Sequence, residues 1–238
     1  ASRDINKVSI PSYVKHICSS SFDSCENLIS VEIQEDSQLQ SIGEYAFSGT
    51  FIKSIFIPPS LEKLQEGWLS DSTKLSKIIL SPNNKNFKYM NEKQQIVLGK
   101  SDKNSESFDV LVFASKDLIE EKIPSYIKYI HPHAFHGCKK LKKILFPKNS
   151  ELIQIGNESF SGTSIEKITI PKTVEKIGRY AFSFCSKLKH VVFEKGSKLQ
   201  FIPNCLFNYC SKLCSVEIPD DGIEKNICNK DLQELNEK

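Results

Sequence analysis

Residues 131–138 read HPHAFHGC, which puts three histidines and a cysteine within eight positions. Imidazole and thiolate are preferred ligands of zinc, and four of them would close a tetrahedral structural site. By spacing alone, His131, His133, His136 and Cys138 are therefore candidates for a metal centre. No G-x-S-x-G, H-E-x-x-H, P-loop or C-x-x-C pattern accompanies them, so hydrolase, metalloprotease, nucleotide-binding, zinc-ribbon and thioredoxin chemistry have no foothold. His190 stands alone on a strand flank, where a histidine is more often a surface residue than a general base. The sequence predicts no enzyme and no cofactor.

What positions these residues is a matter of the whole chain. Of its 238 residues 39% are apolar, enough for a core, and Gly and Pro number only 10 each. Basic and acidic residues number 32 and 29 and are interspersed, so the basic footprint of a nucleic-acid binder is missing. No stretch approaches the roughly 18–20 apolar residues of a membrane span, and the opening ASRDINK is too polar for a secretory signal. The chain starts without Met and in mid-pattern at KVSIP, which reads as an excised fragment without its natural N-terminal cap.

The chain repeats itself. IPSYVKHICSSSFDSCENLISVEI (10–33), IPSYIKYIHPHAFHGCKKLKKILF (123–146) and IPKTVEKIGRYAFSFCSKLKHVVF (170–193) share I-P-x-x-V/I-x-x-I-x-x-x-x-F-x-x-C-x-x-L-x-x-V/I-x-V/I/F. Counting all copies, the anchors Phe22, Phe47, Leu69, Phe135, Phe160, Phe182 and Phe207 are spaced 25, 22, 66, 25, 22 and 25. A unit this short cannot bury a core alone, so each repeat is one turn of a solenoid stacked on its neighbours. The closing triplet of each unit is β-branched or aromatic with period 2 and predicts one short strand per turn, in a parallel sheet. On this reading repeats run over about 8–80 and 111–219 of a single domain, Leu111–Phe113 supplies the triplet before Ile144–Phe146, about 81–122 is an inserted β-hairpin, and 220–238 forms a C-terminal cap.

The F-x-x-C-x-x-L-x-x-V/I-x-I/F-P core resembles the BspA-like (Treponema pallidum-type) leucine-rich repeat. The resemblance runs from about Val8 to Pro219. It implies a right-handed, curved leucine-rich-repeat solenoid of α/β type. It further implies a microbial or protozoan surface protein that adheres to host matrix proteins, host cells or other microbes.

Aligned to the repeat, HPHAF falls on Gly43–Phe47 and Gly178–Phe182, and Cys138 on Cys25, Cys185 and Cys210. In leucine-rich repeats that cysteine place holds a small polar side chain which satisfies buried backbone in the turn. Cys138 is then expected in the core, away from surface histidines, and the metal site dissolves; a two-histidine site from His133 and His136 is the remnant. Adjacent turns bring Cys185 and Cys210 together with parallel Cβ vectors, so both are expected reduced. Cys18, Cys205, Cys214 and Cys228 fall outside the pattern, and a Cys214–Cys228 bridge would pin the cap. One N-glycosylation sequon, Asn157–Glu158–Ser159, lies in a turn.

In each triplet the first and third residues point inward, so the middle one faces the concave surface. Phe56, Ile79, Val112, Leu145, Thr169 and Val192 then form a largely apolar stripe edged by Lys77, Lys143, Lys167 and His190. A contiguous apolar stripe with a polar rim marks an interface. The alternatives are that β-branched residues merely favour strands, or that the insertion folds over the stripe. The chain is expected to be a non-catalytic module that binds a protein or glycan, such as a host matrix or cell-surface protein, on this face. Self-association as a structural solenoid and an intracellular scaffold are the alternatives, the latter favoured by the ladder of thiols. The expected location is extracellular or cell-surface, with cytoplasmic as the alternative; neither nucleic acid nor membrane insertion is expected.

Overall fold

The computed structural model describes residues 4–203 and 205–218, in two compact units, one ending in sequence at Phe108 and the other starting at Asp109. Each unit is a stack of solenoid turns built on two rows of short parallel strands. In the first unit the front row holds Lys7–Ser9, Ser30–Glu32, Ser54–Ile57 and Lys77–Leu80, and the back row His16–Ile17, Ser41–Ile42 and Lys63–Leu64. In the second unit the front row is Glu120–Lys122, Lys143–Leu145, Lys167–Ile170, His190–Phe193 and Ser215–Glu217, and the back row Val110–Ala114, Tyr129–Ile130, Gln154–Ile155 and Lys176–Ile177. Front-row partners are one repeat apart, as in Phe56 beside Ile79 and Thr169 beside Val192.

The α/β expectation is corrected, because no helix occurs among the described residues. A repeat this short is used up by two strands and a corner, which leaves too few residues for a helix of even three turns. The corner surrounds the aromatic anchor and carries a third ladder made of turns. There the N–H groups of His133, Phe135 and Gly137 donate to the carbonyls of Asn157, Ser159 and Ser161 at 2.9, 2.7 and 2.8 Å. Glu158, Phe160 and Gly162 repeat this onto Arg179, Ala181 and Ser183. Alternate residues thus point their donors along the stack. The residues two before and two after each anchor adopt positive φ: Ser20 and Ser24, Tyr45 and Gly49, His133 and Gly137, Glu158 and Gly162, Tyr180 and Phe184.

Inside the corner the anchors stack. Phe135, Phe160 and Phe182 lie with ring centroids 4.8 and 5.2 Å apart and nearly parallel planes, all essentially without solvent exposure. Each such pair contributes about 0.5–1.5 kcal/mol beyond the area it buries. Close approach of turns is set by Gly43, Gly156 and Gly178. A Cβ on Gly178 would lie 2.3 Å from the Asn157 backbone nitrogen, a distance no side chain tolerates.

The stretch given as insertion, 81–122, is shorter than expected. Glu120–Lys122 belongs to the front row, pairing with Lys143–Leu145. Val110–Ala114 belongs to the back row, where Val110 and Leu111 lie beside Tyr129 and Ile130. Lys88–Tyr89 and Ile96–Gly99 pair antiparallel, with Lys88 opposite Leu98 and Tyr89 opposite Val97. They do not project: Ile96, Val97 and Leu98 are buried. The Tyr89 hydroxyl accepts from Leu80 N–H and donates to Ile78 O at 3.0 and 2.9 Å, and the Asn84 amide donates to Pro58 O. The expected cap, 220–238, and Cys228 lie outside the described residues.

Removing one ring from the corner stack should be costly. Phe160→Ala is expected to lower unfolding free energy by about 3–5 kcal/mol, and Gly178→Ala by about 1–3 kcal/mol through overpacking, both read by guanidinium unfolding.

Candidate functional site

Two places bring chemically useful side chains together. The first is the outward face of the front row. Burial alternates along the central strands: Ile55 and Ile57 are buried around a half-buried Phe56, and Ile168 and Ile170 around an exposed Thr169. Leu145 and Ile79 are 46% and 40% exposed, which for large aliphatic side chains leaves a real apolar surface. Lys77, Lys143, Lys167 and His190 are exposed at the start of their strands. His190 Nδ1 lies 2.9 Å from Ser215 Oγ of the next turn. Val192 is half-buried.

Val112 is misplaced by the sequence reading: it is buried, in the back row. VLVFA has no outward position, since Leu111 to Ala114 are all buried. Its expected place in the front row is taken by Lys122, beside Leu145. In the second unit the row therefore reads Lys122, Leu145, Thr169, Val192, Glu217, and the flank Glu120, Lys143, Lys167, His190, Ser215. The stripe there is two or three residues long with charged ends. A signal for this turn does exist in the sequence: Ser115-x-x-Leu118 and Ile123–Pro124 match C-x-x-L and I/F-P. Leu118 N–H donates to Ser115 O as Leu141 N–H does to Cys138 O.

An open depression of about 600 Å³ lies on this face of the second unit, floored by Leu145 and Thr169 and walled by Ile119, Glu120, Lys143 and Lys167. In the first unit Ile79 stays exposed although Tyr89 docks beside it, because the tyrosine engages main chain on either side.

The second place is the corner at HPHAFHGC. His133 and Glu158 occupy equivalent left-handed positions of successive turns, and His136 N–H donates to His133 O in a tight turn. Glu158 Oε2 consequently lies 4.0 Å from His133 Nδ1 and 3.6 Å from His136 Nδ1. The side chains of His133 and His136 are only 7% and 16% exposed, against 36% for Glu158. The expectation of surface histidines is therefore corrected. His131 turns instead to the Pro132 carbonyl, and Cys138 points into the core, as expected. Glu158 was missed because it is one repeat away in sequence. The Asn157 amide oxygen of the sequon accepts Arg179 N–H at 3.0 Å.

The recurring cysteines act as expected of a small polar residue in the turn. Cys185 Sγ donates to Phe160 O and Cys210 Sγ to Phe182 O, at 3.2 and 3.0 Å, and Thr50 Oγ1 and Ser72 Oγ each donate to Phe47 O at 2.8 Å. The Cys210 hydrogen bond draws the Cys185 thiol below its ordinary range against the opposing effect of burial. Burial pushes Cys138 up to about 11, with Lys116 acting weakly the other way.

The family can now be stated. A model of the BspA type leucine-rich repeat region matches six copies over residues 1–95 and 106–230. The chain belongs to the BspA-type leucine-rich repeat family. The fold is shared with solved structures. A leucine-rich repeat protein from Eubacterium ventriosum is 25% identical, with a TM-score of 0.66 over 90% of this chain and 67% of that one. A leucine rich cell surface protein from Faecalibacterium prausnitzii is 21% identical at 0.67, over 90% and 59%. The pneumococcal vaccine antigen PcpA is 16% identical at 0.69, over 90% and 56%. The chain thus spans little more than half of the latter two proteins. Among curated proteins no sequence matches it. Among the described residues no helix is long and apolar enough to cross a membrane.

The thiols of this BspA-type chain should separate sharply by reactivity. With a folded-state pKa near 11, above the ordinary 9.0, Cys138 stays protonated throughout neutral pH and ionises only as pH climbs toward 11. Because the thiolate is the nucleophile, iodoacetamide at pH 8 is expected to modify exposed Cys18 and Cys214 in minutes and to leave Cys138 intact until unfolding, as read by peptide mass mapping.

Proposed function

We propose that this chain is a non-catalytic binding module, the recognition region of a microbial surface protein, and that it holds a protein ligand on the front-row face of its second unit. The observation that carries this reading is the depression at Leu145 and Thr169, where an exposed aliphatic floor lies between Lys143, Lys167 and Glu120. An apolar centre with a charged rim is the anatomy of a protein interface, and a rigid strand scaffold orders few groups on binding. The floor is small, so affinity should concentrate in one or two anchors rather than spread over the row. Surface placement is supported by the relatives described as a cell surface protein and a vaccine antigen. A glycan ligand is less well served, because the floor carries aliphatic rather than aromatic side chains. Catalysis has no support, since the titratable groups lining the depression are Glu120, Lys142, Lys143, Glu166 and Lys167, and Glu166 pairs in the open with Lys189 at 3.3 Å.

The test is binding of the chain to a panel of immobilised extracellular-matrix proteins by biolayer interferometry, wild type beside Leu145→Asp and a Lys143→Glu, Lys167→Glu double variant. Leu145→Asp is expected to weaken binding by about 2 kcal/mol or more, roughly thirtyfold, without loss of fold because Leu145 is exposed. Equal binding by all three proteins would sink the assignment of this face. Dimerisation of the wild type that Leu145→Asp abolishes, seen by sedimentation, would make it a self-association surface instead.

A further inference from the structure

The geometry points to a divalent transition-metal site, of zinc type, formed by His133, His136 and Glu158 at the corner of two successive turns. The donor atoms of the three residues all lie within 4.8 Å of one another. Around a tetrahedral zinc with bonds of about 2.0–2.2 Å, neighbouring donors sit about 3.4 Å apart. The distances from Glu158 Oε2, 3.6 Å to His136 Nδ1 and 4.0 Å to His133 Nδ1, exceed that spacing by roughly 0.2 and 0.6 Å. Two imidazoles and one carboxylate are one of the common three-ligand sets of zinc, and poorly suit calcium or magnesium, which take oxygen donors.

Burial adds to the case. The His133 side chain is 7% exposed and that of His136 16%, so both rings are already held by packing, while the more open Glu158 gives the ion a way in. The backbone holds the ligands too. His133 and Glu158 share the left-handed position of adjacent turns, a conformation costly for non-glycine residues. Three protein ligands leave a fourth position open to water or to a side chain from a bound partner. Lys116, whose ammonium donates to the His136 carbonyl, is the nearby charge that opposes binding. Coordination would clip the turn carrying His133 and His136 to the one carrying Glu158.

The decisive experiment is isothermal titration of the chelator-treated chain with zinc chloride, with the cobalt(II) visible spectrum as a second readout. Wild type is expected to take up one zinc at this site, to melt at a higher temperature when loaded, and to give a cobalt spectrum of nitrogen and oxygen ligands without a thiolate charge-transfer band. His136→Ala and Glu158→Gln should each lower zinc affinity by at least about tenfold, since loss of a ligand costs no less than loss of an outer-shell partner. Circular dichroism identifies any variant that fails to fold, and the two variants alter different turns, so either one alone suffices. Absence of zinc uptake by the wild type overturns the site. So does uptake that both folded variants retain, or a cobalt spectrum dominated by thiolate, which would place the metal on cysteines.

Discussion

Everything in this molecule depends on stacking one turn of chain on the next at the aromatic corner. The strands of both rows are two to five residues long, too short to hold a sheet unaided. The corner supplies what they lack, through three backbone hydrogen bonds from alternate residues around the anchor in the turns at Phe22, Phe47, Phe135 and Phe160. Pointing those donors along the stack needs left-handed backbone on both sides of the anchor. Glycine fills such positions at no steric cost, yet Tyr45, His133, Glu158, Tyr180 and Phe184 occupy them. Each costs on the order of 1 kcal/mol. The ladder and the phenylalanine stack must offset that strain, which explains why the anchor stays Phe in most turns while the flanking residues vary.

The carbonyl of the anchor stays out of the ladder and accepts within its own turn, as Phe135 O does from Cys138 N–H at 3.0 Å. A thiol or hydroxyl adds to this: Cys185 serves Phe160, Cys210 serves Phe182 and Ser72 serves Phe47 from the next turn, while Thr50 serves Phe47 from its own. Cys, Ser and Thr therefore interchange at one position because each is small and carries one donor. The same requirement takes Cys138, whose Sγ faces the Ala114 and Ser115 carbonyls, out of redox and metal chemistry. A thiol committed to a buried carbonyl and held protonated, as Cys138 is, is a poor ligand and a poor nucleophile.

Much of this was legible in the sequence, because a period of 22–25 residues is a strong signal and the alternation V-x-I states which side chain faces out. The second row of strands was not, since two-residue strands such as His16–Ile17 carry no periodicity of their own. The turn at Ser115 was hidden by two substitutions at once. Ser115 replaced the expected cysteine, and Glu121 replaced the β-branched residue opposite Ile144. The neighbouring apolar VLVFA made the more persuasive strand, and Val112 was assigned to a face it does not reach. Hydrophobic pattern identifies a strand; it does not say which of two parallel rows the strand joins.

The histidine cluster shows the complementary limit. Motifs for chemistry are sought along the chain, and along the chain His131, His133, His136 and Cys138 looked like one set. A stacked fold sorts residues down columns instead. Position 133 faces 158 because they are one repeat apart, while 138 turns inward because its column is the buried donor. Two of the four sequence neighbours consequently leave the set and a residue 25 positions away joins it. In a solenoid, then, candidate sites should be read from equivalent positions in adjacent repeats. A histidine in one repeat and a carboxylate at the same place in the next carry more information than any cluster of histidines within a single turn.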